Sequence, residues 1–189
     1  MHLLLFLAQL IMSAQFSSAT PRAHPPVTAG HPFIAAFRTE GHSPPQLIDG
    51  QMYRDSSGRT RVDYKLPTGE VRFIDDVSTR TGFVIDIGSK SHETDHYEPI
   101  HRWIFSNVDP VFTEEHRQIL GVDCVRVSLR PPRGAHGDLG DAWISKPLGI
   151  VMKDQNPSQG WKWEVTEIEF REPDPGTFQV PAGFREMDR

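Results

Sequence analysis

His92, Glu93 and His96 are the residues whose types and spacing are best suited to chemistry, because they follow the pattern H-E-x-x-H. On a helix this spacing places two histidines one turn apart as zinc ligands, and the glutamate acts as the general base of a hydrolase. Here Gly88 precedes the segment and Pro99 follows it, and both disfavour a helix. We therefore do not expect a helix here. A zinc-dependent hydrolase remains the alternative, and it requires the segment to be helical.

Other catalytic groups are not indicated by the sequence. It has neither a G-x-S-x-G nucleophile turn nor a G-x-G-x-x-G phosphate-binding loop. Cys124 lies in a predicted strand, where a buried and inert thiol is usual. Neighbouring carboxylates such as Asp75 and Asp76 are explained by solvated strand ends. We therefore expect no catalytic residue, no metal and no cofactor, in a protein that is not an enzyme.

Five aromatic residues form the candidate ligand-binding set, since they are too large and too numerous to remain exposed. They are Trp103, Phe105, Trp143, Trp161 and Trp163. Core packing accounts for such residues in any β-rich fold. In an open half-barrel some of them would instead line a concave apolar pocket for a lipid or another hydrophobic molecule. The sequence leaves both interpretations open.

Strand patterns recur at short intervals along the chain, and turn residues separate nearly all of them. The predicted strands are Phe33–Arg38, Leu47–Arg54, Arg59–Lys65, Glu70–Asp75, Gly82–Ile87, Ile100–Ser106, Val122–Leu129, Trp143–Met152 and Trp161–Phe170. Strands spaced this closely favour antiparallel pairing, because parallel strands need crossovers of about a dozen residues or more. The fold class we predict is mainly β, a curved antiparallel half-barrel sheet with at most one or two short helices.

Two segments depart from simple alternation. In the last strand the apolar positions change parity between Val165 and Ile168, which predicts a bulge or bend near Thr166–Glu167. Residues 110–120 are ambiguous. Asp109 followed by a proline looks like a helix start, whereas the following residues also fit a turn into the next strand.

The N-terminus indicates export. An apolar run from Leu3 to Met12 is followed by small and polar residues, which predicts a signal peptide over residues 1–19. Residues 20–32 contain four prolines and read as an extended tether. We expect a single β-rich domain over residues 33–185, with no membrane span after cleavage. One cysteine in 189 residues excludes an internal disulfide. A net charge of −5 argues against nucleic acid as the main partner.

Two segments carry a resemblance to a known group. The stretch 49–61, which contains Tyr-Arg-Asp-Ser-Ser-Gly-Arg-Thr-Arg, and the stretch 172–184, which contains Glu-Pro-Asp-Pro and Phe-Gln-Val-Pro, resemble uncharacterised exported bacterial proteins. More distantly, the pattern is similar to the periplasmic lipoprotein carrier superfamily, the LolA-like proteins. This resemblance implies an incomplete antiparallel barrel with an apolar concave face, in a periplasmic or extracellular setting. It implies no catalytic residues, and it makes the segment from His92 to His96 a polar loop between strands.

The function we predict is an exported, non-enzymatic binding protein of the cell envelope for a lipid or another hydrophobic ligand. The alternatives are the zinc-dependent hydrolase at His92 to His96 and a structural envelope protein without a ligand. Protein partners are not indicated by the sequence.

Overall fold

The described part of the chain folds around one sheet of twelve strands. The computed structural model describes residues 31–41, 46–96, 109–131, 139–156 and 160–187. The strands are β1 (Phe33–Gly41), β2 (Gln46–Arg54), β3 (Thr60–Leu66), β4 (Gly69–Asp76), β5 (Thr81–Asp86), β6 (Ser91–His96), β7 (Asp109–Ile119), β8 (Val122–Arg130), β9 (Asp141–Ser145), β10 (Ile150–Asn156), β11 (Trp161–Glu169) and β12 (Arg185–Glu186). Within the described ranges, the helical structure consists of one 3₁₀ turn at Pro175–Phe178.

The sheet consists of two antiparallel runs that meet in the middle. Its strand order is β12-β6-β5-β4-β3-β2-β1-β11-β10-β9-β8-β7. Strands β1 to β6 and β7 to β11 each follow chain order, and β1 joins the two runs by pairing with β11. The short strand β12 differs from the others in being parallel to its neighbour β6. Short turns suffice for most links because consecutive strands are antiparallel neighbours.

One face of the sheet, which we call the inner face, carries the largest buried cluster. Paired residues share a face, so Phe37 of β1, Gly50 of β2 and Tyr64 of β3 all lie on this side. The buried members of the cluster are Phe33, Ala35, Phe37, Met52, Val62, Ile119, Val122, Cys124, Leu148, Ile150, Met152 and Val165. They come from both runs of the sheet, so the curvature of the sheet gathers distant strands around one core. A smaller cluster lies on β8 and β9.

The opposite, outer face of β2 to β6 is covered by the C-terminal segment 171–187. Phe178 is buried there against Ile74 and Ile85. The segment then ends in β12, whose backbone extends the sheet beside β6. The C-terminal chain therefore completes a second apolar layer and covers one edge of the sheet.

The two sequence segments that carry the family resemblance contact each other in the structure. Asp55 closes the β2–β3 turn by accepting hydrogen bonds from the Ser57 hydroxyl at 2.7 Å and the Arg59 backbone N–H at 2.9 Å. The guanidinium of Arg59 lies 4.9 Å from the ring centre of Phe178. The Ser56 backbone N–H donates to Glu172 at 3.1 Å. Both segments therefore serve to fasten the C-terminal chain to the sheet.

The predicted fold class is confirmed: the protein is mainly β, with a curved antiparallel sheet. The predicted bulge is also confirmed, because Ala36 pairs with Glu167 and Phe37 with Val165, which leaves Thr166 as the extra residue. Residues 110–119 of the ambiguous segment belong to strand β7, and Leu120 and Gly121 form the two-residue turn that follows.

One predicted strand is wrong. Trp143–Met152 is two strands, β9 and β10, joined by a turn at 146–149. Pro147 cannot donate a ladder hydrogen bond and Gly149 takes a positive φ of 62°, which together reverse the chain. The predicted signal peptide, the tether up to residue 30 and the strand Ile100–Ser106 lie outside the described residues. Among the residues that are described, no helix has the length and apolar character of a membrane span.

Candidate functional site

The H-E-x-x-H segment forms β6, an extended strand that pairs with β5, so the expectation of a polar loop is wrong. Consecutive residues of a strand point to opposite faces, and four residues span about 13 Å. His92 and His96 are therefore too far apart along the strand to bind one zinc ion at about 2 Å each. The part of the chain that is described contains no group of three or more His, Cys, Asp or Glu side chains able to hold a metal. The helical premise of the zinc-hydrolase alternative is wrong.

His92 shares the outer face with Ile85. Its ring centre lies 6.2 Å from that of Phe83, and its Nδ1 is buried without a hydrogen-bond partner among the described residues. The residue therefore belongs to the layer beneath the C-terminal segment, where Met187 donates its backbone N–H to the carbonyl of His92 at 2.9 Å.

Two of the five predicted aromatic residues pack against the inner cluster. Trp163 is half-buried and stacks on Phe37, with ring centres 4.1 Å apart and an interplanar angle of 21°. Its indole N–H donates to the Val151 carbonyl at 3.3 Å. Trp143 is also half-buried against the cluster, and the guanidinium of Arg117 lies 5.5 Å from its ring centre.

The other three predicted aromatic residues have different positions. Trp161 is 37% exposed at the border of the inner face, and a Cβ added to Gly41 would lie 3.5 Å from its ring. Trp103 and Phe105 lie outside the described residues. The structure thus brings Trp143 and Trp163 together with the inner cluster and leaves Trp161 at its border.

A row of aromatic rings crosses the inner face, and most of its members were not singled out by the sequence. From Trp163 and Phe37 the row continues to Tyr64, at a centroid distance of 5.3 Å, and then to Phe73, at 5.9 Å. Both of these contacts are edge-to-face. Burial raises the pKa of Tyr64 to about 12, so this phenol stays neutral. The row therefore forms an uncharged aromatic surface across four strands.

Gly50 makes room for this row. A Cβ at position 50 would lie 2.6 Å from Cε1 of Phe37 and closer still to the backbone carbonyl oxygen of Asp63. Contacts below 3.0 Å require something to move, so only glycine lets the Phe37 ring cross β2. A glycine inside a predicted strand could have indicated this row from the sequence, because glycines inside strands often mark the close approach of another group.

Arg54 is a buried cation on the inner face. Only 4% of its surface is exposed, and its guanidinium carbon lies 5.2 Å from the ring centre of Phe33, its partner in β1. Its Nη1 donates to the Leu148 carbonyl, while its Nε is buried without a partner in the described structure. Burial lowers the pKa of Arg54 to about 10, and no carboxylate among the described residues acts on that pKa. The side chain remains charged at neutral pH, and the described part of the chain gives it no counter-ion.

Asp154 is a second partly buried charged group on this face, where it pairs with Trp163 across β10 and β11. Burial raises the pKa of Asp154 to about 6, although the side chain of Trp161 and the backbone of Gln155 donate hydrogen bonds to it. Its Oδ1 has no partner among the residues described. The inner face thus has an aromatic centre, with Arg54 towards the start of β1 and Asp154 towards its end.

Solved structures share this fold. An uncharacterized conserved protein from Thermus thermophilus aligns with 97% of this chain and 99% of its own, at 11% identity and a TM-score of 0.59. PNGF-II aligns with 84% of this chain at 11% identity and a TM-score of 0.53. The MucA/MucB complex of Pseudomonas aeruginosa contains a chain that aligns with 94% of this one, at 14% identity and a TM-score of 0.51. At these identities the likeness shows the fold alone.

The chain spans 31% of the length of PNGF-II and 60% of that of the chain in the MucA/MucB complex. A LolA superfamily protein from Nitrosomonas europaea also aligns, at 10% identity over 91% of this chain and 97% of its own, but its TM-score of 0.36 carries no argument. The LolA-like resemblance therefore stays a prediction. No protein-family model and no curated protein matches the sequence.

Proposed function

We propose that this chain is an exported, non-enzymatic binding protein of the cell envelope, and that a lipid or another hydrophobic molecule binds at the inner face of the sheet. In this proposal residues 1–19 direct export and residues 33–185 act as one domain. The observation that carries the proposal is the row Trp163, Phe37, Tyr64 and Phe73. Of these rings, Trp163, Tyr64 and Phe73 are half-buried and offer contact area to a ligand, whereas Phe37 is buried and supports them.

Aromatic rings offer a ligand large apolar contact areas in fixed positions. Removing apolar surface from water contributes roughly 25 cal/mol per Å². Burial of an alkyl chain would therefore supply the affinity without any reaction. The MucA/MucB structure, in which a chain of this fold is part of a complex with another protein, supports the view that the fold serves binding.

The test begins with native mass spectrometry of the protein recovered from the periplasm of an expression host. We expect the mass of residues 20–189 plus a reproducible mass of lipid size. A bare polypeptide mass would instead favour a structural envelope protein without a ligand.

Contact with the inner face is tested with 11-bromoundecanol, because bromine quenches the fluorescence of a tryptophan that it touches. We expect quenching in the wild type and a larger loss of quenching in Trp163→Phe than in Trp161→Phe, its matched control at the border of the face. Absence of quenching together with a bare mass refutes the proposed function.

A further inference from the structure

Arg54 is a buried cation whose hydrogen bonds are incomplete among the described residues. A buried charge is normally paired with an opposite charge or hydrogen-bonded throughout. For Arg54 the partners shown are one carbonyl, that of Leu148, and the face of the Phe33 ring. Within the described ranges the buried Nε remains without a partner.

The charged groups on neighbouring strands do not supply the missing counter-ion. Arg54 pairs with Thr60 of β3, which pairs with Asp75 of β4, so this carboxylate lies on the same face two strands away. Asp75 has interactions of its own, and it does not act on the pKa of Arg54.

The cover over Arg54 is a short turn that carries a second cation. Leu148 belongs to the β9–β10 turn, which is held by a hydrogen bond from the Gly149 N–H to the Ser145 carbonyl at 2.7 Å. Lys146 and Pro147 of this turn are exposed, and the Lys146 ammonium lies 4.8 Å from the Phe112 ring centre. Phe112 pairs with Val127 of the smaller cluster, so this second cation lies away from the inner face and the turn brings no negative charge to Arg54.

We propose that Arg54 binds the acidic head group of an amphiphile, a carboxylate or a phosphate ester, whose alkyl chain lies against the inner cluster. This inference rests on the proposed function and adds the chemical class of the ligand. Carboxylates and phosphates accept two parallel hydrogen bonds from one edge of a guanidinium. Nε forms part of that edge, so a head group would provide both the acceptor and the negative charge that the described residues do not supply.

The experiment compares three twelve-carbon probes that differ only in their head groups: dodecanoate, dodecyl phosphate and dodecanol. Each is titrated by calorimetry at pH 7.4 into the wild type and into Arg54→Met, Arg54→Lys and Arg38→Met. Arg38 is the matched control, because it is an exposed arginine of β1 paired with Asp49 at 2.9 Å. Thermal unfolding establishes that each variant is folded.

We expect the wild type to bind at least one acidic probe about tenfold tighter than dodecanol. Arg54→Met removes this preference, so that the three probes bind it with similar affinity, Arg54→Lys keeps part of the preference, and Arg38→Met keeps all of it. Tighter binding of dodecanoate assigns the carboxylate as the head group, and tighter binding of dodecyl phosphate assigns the phosphate.

Two results overturn the inference while the proposed function stands. In the first, dodecanol binds the wild type as tightly as both acids do. In the second, the preference for an acid survives in folded Arg54→Met. If none of the three probes binds the wild type, the proposed function and the inference fall together.

Discussion

Replacing Gly50 with alanine tests whether the aromatic row depends on this position. The new Cβ would lie 2.6 Å from Cε1 of Phe37 and closer still to its Cζ, so ordinary contact requires the ring to move by more than about 1 Å. Phe37 is 1% exposed and stacks on Trp163 at 4.1 Å, which leaves no free space on its far side. The new Cβ would also clash with the backbone carbonyl oxygen of Asp63 in β3.

Overpacking typically costs about 1–3 kcal/mol, and here two contacts are violated together, one of them with backbone. We expect Gly50→Ala to lower the free energy of unfolding by about 3 kcal/mol, which lowers Tm by about 6–12 °C in a chain of this size. Urea and thermal unfolding, followed by circular dichroism of residues 20–189, measure both quantities.

Gly176→Ala is the matched control, since an added Cβ there meets nothing within 4 Å. We expect its stability to stay within about 0.5 kcal/mol of the wild type. In a Phe37→Leu background, Gly50→Ala should cost less but still more than about 1 kcal/mol, because the Asp63 carbonyl remains. A Gly50→Ala protein as stable as the Gly176→Ala protein would refute this account of the row.

Three further predictions concern stability and reactivity. Phe178→Ala should lower the free energy of unfolding by about 3–4 kcal/mol, because its ring is buried in the outer layer. Gln179→Ala is the control and should leave the free energy of unfolding unchanged, because this side chain is exposed. Equal effects of the two substitutions in urea unfolding would contradict the fastening role of the C-terminal segment. Because the pKa of Asp154 is raised to about 6 in the folded state from about 3.9 in the unfolded state, its contribution to stability is greatest below pH 4 and is lost as the pH rises to 6. Asp154→Asn should remove this pH dependence and stabilise the protein at pH 7 by up to about 2 kcal/mol. The prediction is contradicted if the urea midpoint changes with pH in the same way in the wild type and in Asp154→Asn between pH 4 and 7. Burial raises the pKa of Cys124 to about 11, so the thiol should react with a disulfide reagent at pH 8 about a hundredfold more slowly in native protein than in urea; similar rates would show that the thiol is accessible.

Much of the sheet follows from patterns of period two in the sequence. The parity change between Val165 and Ile168 was sufficient to locate the bulge at Thr166, because a change of face within one strand requires an extra residue. Alternation also assigns Arg54 to a face of the sheet. It lies two residues from Met52 and four from Gly50, and therefore on the inner face.

Other features depend on tertiary context. Strand β6 is polar along its length, and only its pairing with β5 identifies it as a strand. Asp109 and Pro110 resemble a helix start, yet pairing with β8 overrides this local preference. The outer layer was not predictable from local sequence either, because Phe178 meets Ile74 only after the C-terminal segment has crossed the sheet. Sequence periodicity assigns a residue to a face but does not identify the distant segment that covers it.

The pairing of β1 with β11 has a consequence for when the protein can fold. The hydrogen bond from Thr39 to the Lys162 carbonyl links residues 123 positions apart, and the bond from Ser56 to Glu172 links residues 116 positions apart. Contacts between residues so far apart in sequence slow folding, because a long loop must close before they form. Strand β1 cannot complete its pairing until β11 is available. A chain truncated before β11 would therefore leave the β1 edge of the first run unpaired. For a chain exported N-terminus first, as we propose, the two runs join only after nearly the whole polypeptide has emerged, which places completion of the sheet in its destination compartment.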